Sequence, residues 1–413
     1  MAARTSTDMT VLELLKQETA SDMLEVESVT TTTLYEVSDD CQATIKHLRE
    51  KYWRILGANP WLQGRLVKKK GVLSLIYPNI PTQSDSPGFI VVDSIQKESF
   101  TTLNASVHDY SIALAPFVVK KATKCINKDE PLFRIIVGKT NPSQLFVTVS
   151  ISHVIADGYT FYRIYAMLSS EGDGSEPQAL NAKRNIDGGA RVFALYHDID
   201  AVLKSFGLMC NMIGSYLFGK RANIITHEVD MAGIQRAKEA YSASLAPDAP
   251  SGTPRFLSTN DILTSSYMAS SECDLGLMAV NYRNRLDGLT SDLAGNYEGV
   301  IGYQKGDYES PEFIRQSLDT YCRRDKDRPL LAGGFFFRRK AVLGMVTNWS
   351  GFYRQIRLPG CNHVAHFPIF DTIEGPFVLN VCVIFMVDEN KMAVLSAEHP
   401  KRPVASRMEA LLK

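Results

Sequence analysis

Alternation and periodicity divide the first half of the chain. Residues 31–37, Thr-Thr-Thr-Leu-Tyr-Glu-Val, are mostly β-branched or aromatic and read as a strand. Residues 41–57 read as a helix, with Ile45, Leu48, Tyr52 and Ile55 on one face. Asp40 is placed to cap it, and Gly57-Ala58-Asn59-Pro60 ends it. Residues 61–67 and 72–77 follow as a pair of strands, joined by a solvated tip of Lys68-Lys69-Lys70-Gly71. Residues 131–137 and 145–151 form a second pair across Thr140-Asn141-Pro142-Ser143, short enough for an antiparallel hairpin. After Gly158 the period changes. Phe161, Ile164, Tyr165 and Leu168 share one face of a helix, so residues 152–158 span a tight strand-to-helix connection. The polar residues 1–30 predict a loosely ordered start.

Composition shifts after Ser169. A loop of Glu171-Gly172-Asp173-Gly174-Ser175-Glu176-Pro177 opens a polar stretch to residue 190, the best crossover between domains. Residues 192–219 then carry a long apolar patch, 206–218. It reads as a core helix over the domain junction, or as a flexible Met-rich wall of a pocket for a lipid-like alcohol. Beyond it, 223–229 is strand-like and 231–243 helical. A helix starts after Leu257, capped by Ser258 or Thr259, and another opens at Ser310-Pro311-Glu312 with Ile314, Leu318 and Tyr321 inward. A hairpin across residues 388–391 closes the chain. Strands and helices mix without strict βαβ order, which predicts an α+β protein. The expected divisions are 1–172, a crossover at 173–221, and 222–413.

Composition narrows the function. At 413 residues the chain exceeds one ordinary core, and 45% hydrophobic with 22% charged residues is a globular balance. Lys+Arg and Asp+Glu are both 45, for a net charge of 0, so no nucleic-acid partner is expected. No run reaches the ~18 apolar residues of a membrane span, so no stable membrane insertion is expected either. Residues 1–17 lack a signal-peptide core, and the seven cysteines have no zinc or redox spacing. These features predict reduced thiols in a cytoplasmic protein. His363 and His366 alone do not make a metal site, and none is expected.

The connection at 152–158 carries the candidate chemistry. A rigid strand and helix hold an exposed turn, and His153 and Asp157 stand on it ahead of Gly158. Taken alone, such a His is usually structural and Asp-Gly is usually a turn. The sequence around it resembles the His-x-x-x-Asp-Gly signature of BAHD-type acyl-CoA-dependent acyltransferases, relatives of chloramphenicol acetyltransferase and of peptide-synthetase condensation domains. Ser152 stands where condensation domains usually carry an extra His, which favours the BAHD side. Weaker matches follow in the family's order: Asn59-Pro60-Trp61-Leu62, Ser258-Thr259-Asn260-Asp261, Asn281-Tyr282-Arg283-Asn284-Arg285, Gly295-Asn296-Tyr297 and Thr347-Asn348-Trp349. The family's Asp-Phe-Gly-Trp-Gly is missing; Asp371 to Gly375 lies in that region without reproducing it.

The resemblance implies two similar mixed-sheet domains with a tunnel between them, and an O-acyltransferase of secondary or lipid metabolism. His153 would be the general base. Asp157 would pair structurally with Arg283, and Thr347 and Trp349 would stabilise the oxyanion. Ser258, Thr259 and Asn296 would contact the coenzyme. The basic runs 323–326 and 338–340 are either phosphate contacts or solvated faces. Acyl-CoA would be a co-substrate, no cofactor would be bound permanently, and a small or lipid-like acceptor, offering a hydroxyl in preference to an amine, would complete the reaction in a monomer. Two other readings stand: a condensation-type enzyme with carrier-bound donors, and a catalytically silent ligand-binding or scaffold relative.

Overall fold

Strand Gln144–Ile151 is buried along its whole length, and the first sheet is built outward from it. A computed structural model describes residues 8–37, 41–81, 88–95, 102–170, 176–246, 248, 250, 252–370, 379–399, 404, 407, 408 and 410–413. The five-stranded sheet runs Cys361–Pro368, Val29–Val37, Gln144–Ile151, Phe133–Asn141, Phe89–Val92. Its pairs are antiparallel except for the last, which is parallel. Leu34, Ile136 and Phe146 pack to one side, while Tyr35, Ile135 and Leu145 pack to the other. Both faces are therefore covered, which explains the unbroken apolar run.

A six-stranded sheet runs Glu298–Tyr303, Leu275–Asn281, Leu343–Asn348, Asn380–Met386, Met392–Glu398, Asn223–Glu228. Leu343–Asn348 is parallel to both neighbours, and the remaining pairs are antiparallel. A three-stranded sheet of Met9–Glu13, Val72–Pro78 and Arg65–Lys69 lies apart. The expected α+β mixture is the observed one.

Several elements differ from the sequence expectation. Residues 8–30 are ordered where a loose start was expected: Met9–Glu13 is a strand, and Gln17 and Glu18 are buried. Their polarity misled because Glu18 is held by a buried partner, Arg184, at 2.9 Å. Pro60–Gln63 is a 3₁₀ turn rather than the start of a strand. Pro60 has the fixed φ that suits the first position of a helical turn, and the Trp61 indole donates back to Asn59. The apolar stretch is not one core helix. It is Ile186–Leu203 followed by Phe206–Phe218, bent by 68°. Ser205 takes extended backbone and breaks the run. In the second helix only Gly207 and Leu208 are buried, and Met209 and Met212 are exposed. Asp40, residues 171–175 and residues 371–378 lie outside the described residues.

Leu103–Leu114, Ala122–Cys125 and Gly334–Arg338 are helices that the sequence pattern did not announce, whereas two expected helices agree closely with it. Gly158–Ala166 buries Phe161, Ile164 and Tyr165, with Leu168 buried just beyond it. Thr259–Ser270 begins with a capping box in which Ser258 accepts from the Asp261 N–H and Asp261 accepts from the Ser258 N–H.

Candidate active site

Helix Gly158–Ala166 begins at Asp157, whose carboxylate caps it by accepting from the Thr160 N–H at 2.9 Å. The same carboxylate receives the Arg283 guanidinium at 2.7 and 3.3 Å and the Tyr297 N–H at 3.1 Å. Arg283 also donates to the carbonyls of Leu293 and Gly295, to Asn281 Oδ1 and to Thr160 Oγ1. Both side chains are buried. An ion pair of this kind is better evidence of fixed geometry than of stability. It ties the turn after Gln144–Ile151 to the segment between Leu275–Asn281 and Glu298–Tyr303.

His153 sits at the mouth of this arrangement with about 19% of its side chain exposed. Asn296 orients it. The Asn296 amide nitrogen donates to the carbonyls of His153 and Val154 and to Glu18 Oε1, at 2.8, 3.2 and 3.2 Å. The amide's own network thus fixes which end is oxygen, and that oxygen lies 3.2 Å from His153 Nδ1. An acceptor there requires Nδ1 to carry a proton, so that in the neutral imidazole the lone pair is on Nε2.

Behind Asn296 stands a buried chain of charge. Glu18 Oε1 also accepts from the Asn296 N–H, and Glu18 Oε2 receives Arg184 Nε. Arg184 goes on to the carbonyls of Ala182, Ala294 and Ile155. Gly295 takes φ +122°, and a Cβ there would lie 2.6 Å from the Arg184 guanidinium, so the loop closes only around glycine.

Glu298 is the residue the sequence reading missed. Its carboxylate lies 3.7 Å from His153 Nε2, too far for a hydrogen bond and close enough for a strong electrostatic effect. Burial pushes its carboxyl up from the usual carboxylate range, and His153 pulls it partly back. The only available signal was its place two residues after Asn296, which is meaningful only once the strand is seen to run past the imidazole.

The other candidates separate into two groups. Trp349 packs edge-on against Tyr162, and a Cβ on Gly158 would lie 3.2 Å from its indole nitrogen, so the indole N–H faces the motif turn. Thr347 stands one residue from the end of strand Leu343–Asn348, half-buried. Neither side chain makes a hydrogen bond among the described residues, so both donors remain available. Asn348 donates to Asn260 at 3.0 Å, which brings the start of helix Thr259–Ser270 beside these donors. Ser258 is occupied in its cap, and Thr259 accepts from Lys238 at 3.1 Å. Asn296 is placed against the imidazole. Arg323 is paired with Asp307 and backbone carbonyls, whereas Arg339 and Lys340 are exposed.

His366 is not part of this site. Thr33, Tyr165 and Tyr162 surround its ring at 2.9 to 3.1 Å, and burial holds its pKa well below the usual value. No group of metal-binding residues occurs among the described residues. Cavities of about 590 Å³ beside Asp388 and His363, and about 560 Å³ beside Leu14 and Phe193, are not lined by His153.

The arrangement of sheets defines a fold before it defines an activity. It is the two-domain α+β fold of the CoA-dependent acyltransferase type, shared with condensation domains. TRI101 of F. sporotrichioides, complexed with coenzyme A and T-2, superposes with a TM-score of 0.62 at 15% identity, over 98% of this chain and 99% of that one. The first condensation domain of the calcium-dependent antibiotic synthetase, in complex with a substrate analogue, gives 0.58 at 11% identity, over 97% and 94%. Polyketide synthase associated protein 5 of Mycobacterium tuberculosis gives 0.56 at 12%, over 97% and 96%. No family model and no curated protein sequence matches the chain.

Proposed function

We propose that the protein transfers an acyl group from acyl-CoA to a hydroxyl of a small-molecule acceptor. The observation that carries this reading is the fixed imidazole of His153, with Nδ1 held by Asn296 and Nε2 left as a base. Structures of TRI101 hold coenzyme A with T-2 or deoxynivalenol, which supports a CoA donor and a small-molecule acceptor on this fold.

In the proposed reaction Nε2 takes the acceptor's O–H proton as its oxygen bonds to the thioester carbon. The carbonyl electrons move onto oxygen, where the Thr347 hydroxyl and the Trp349 indole N–H donate to the oxyanion. Collapse re-forms the carbonyl and breaks the C–S bond, and the imidazolium returns the proton to the departing thiolate. Glu298 stabilises the imidazolium between these steps. No acyl-enzyme is formed, so no nucleophilic Ser or Cys is required. Asp157 and Arg283 act by holding the turn, and Ser258 and Thr259 are the proposed coenzyme contacts. A carrier-bound donor is the neighbouring alternative on the same fold, and Ser152 counts against it.

The test is free-thiol release from a panel of acyl-CoAs with pooled alcohols and amines. Acceptor-dependent release is expected, falling by about 10²–10⁴-fold in His153→Ala. Equal release from both proteins overturns the proposal.

A further inference from the structure

Ten of the twenty exposed large hydrophobic residues among those described lie on two short helices that touch each other, Phe206–Phe218 and Gly334–Arg338. Phe218 is 87% exposed and Phe336 is 78% exposed, with Phe206, Ile213, Tyr216 and Leu217 beside them in the first helix. Exposed apolar patches this concentrated mark interaction surfaces. The platform is fixed in place. Phe206 stacks on Phe335 with centroids 5.6 Å apart, and Asn211 donates to the carbonyls of Arg338 and Ala341. A Cβ on Gly207 would lie 2.9 Å from the Phe335 carbonyl, so the close approach depends on glycine.

Charge identifies what the patch meets. No Asp or Glu occurs at residues 201–227 or at 328–370, the two segments that contain these helices. Cations cluster there: Lys220 closely follows the first helix, and Arg339 and Lys340 follow the second. All three are exposed and make no ion pair among the described residues. Apolar and aromatic side chains rimmed by Lys and Arg, with no acid in either segment, complement an anionic lipid surface. At 13 residues the first helix is about 20 Å long, shorter than a bilayer's hydrocarbon core, and its 68° break from Ile186–Leu203 prevents the two from forming one straight span.

We infer that helices Phe206–Phe218 and Gly334–Arg338 form a peripheral docking surface for an anionic membrane. The phenylalanines enter the headgroup boundary, and Lys220, Arg339 and Lys340 sit over acidic headgroups. This assignment is independent of the acyl-transfer chemistry.

The experiment is flotation of the full-length protein with vesicles of phosphatidylcholine, or of phosphatidylcholine and phosphatidylserine in equal amounts. The wild type is expected to float with the mixed vesicles, weakly with the neutral ones, and to be released by salt. Phe218→Glu and Phe336→Glu should each weaken partitioning by about tenfold or more. The triple change Lys220→Ala, Arg339→Ala and Lys340→Ala should weaken it on the order of 100-fold, on mixed vesicles alone. All of these positions are exposed, so circular dichroism and melting temperature should match wild type. The inference is overturned by a wild type that floats with neither vesicle, or by variants that float as well as it does. It is equally overturned if the patch pairs with a second copy, seen as a dimer in solution that Phe218→Glu makes monomeric without any flotation of the wild type.

Discussion

Replacing Asp157 by asparagine keeps the shape of the side chain and removes the charge that organises the turn. Four donors converge on the carboxylate: the Thr160 and Tyr297 N–H groups and two guanidinium nitrogens of Arg283. A carboxylate offers acceptors on both oxygens, whereas a carboxamide offers one oxygen and one donor. Either orientation of the new amide therefore sets its NH₂ against two of those donors. It also leaves Arg283 buried without a counter-ion. Breaking a buried pair costs about 3–5 kcal/mol. Arg283 keeps carbonyl acceptors at Leu293 and Gly295, so the lower end, about 3 kcal/mol, is expected. Urea unfolding followed by tryptophan fluorescence and circular dichroism measures it, as a drop in midpoint of about 1 M or more. The double change Asp157→Asn with Arg283→Met should cost clearly less than the two single changes added together, because it buries no unpaired charge. A loss below about 1 kcal/mol for Asp157→Asn, or strict additivity in the cycle, refutes the reasoning.

Two further outcomes concern pH. His366 is buried neutral, so the unfolded chain takes up a proton below its ordinary 6.5 that the folded chain refuses. Stability should therefore fall as pH drops below that value, by up to ~1.4 kcal/mol per pH unit for this one proton, and His366→Gln should flatten the slope of urea midpoint against pH. A wild-type midpoint that stays level or rises on acidification contradicts this. Glu298 loses its charge at a higher pH than an ordinary carboxylate does, so its proposed help to the imidazolium is lost early on the acid side. In the thiol-release assay Glu298→Gln should lower kcat on the order of tenfold or more with little change in KM, and should lack that acid-side decline. An unchanged kcat removes Glu298 from the mechanism.

The strand-turn-helix unit was legible because each part has a local cause. Gln144–Ile151 is β-branched and apolar, the helix after it repeats every three to four residues, and Asp157 is an ordinary cap residue as well as an ion-pair partner. What stayed hidden is what depends on distant chain. Cys361–Pro368 belongs to the first sheet by pairing with Val29–Val37, and nothing within those residues names that partner. Glu18 looked like part of a polar, loose segment because its burial is compensated by Arg184 and Asn296, 166 and 278 residues away. The helix Phe206–Phe218 failed in the opposite direction. Its hydrophobicity is real, and burial was the default inference from it, yet among the described residues the short helix Gly334–Arg338 packs on it and only Gly207 and Leu208 are buried.

Glu18 also shows how the two ends of the fold reach the imidazole. One carboxylate oxygen holds the Asn296 amide and N–H while the other holds Arg184, which grips the carbonyls of Ile155 in the motif turn and of Ala294 across from it. Glu18 thus supports the amide that faces His153 Nδ1, together with the carbonyls of His153 and Val154. Glu18→Gln would replace one acceptor oxygen with a donor. With that donor turned to Asn296, two N–H groups would meet an NH₂; turned to Arg184, it would leave a guanidinium uncompensated. The Asn296 amide would then keep only the carbonyls of His153 and Val154 as acceptors, and the oxygen facing His153 Nδ1 would be held less firmly. A residue that makes no contact with the imidazole therefore supports its partner, and the order of the segment around Glu18 is part of what shapes the site.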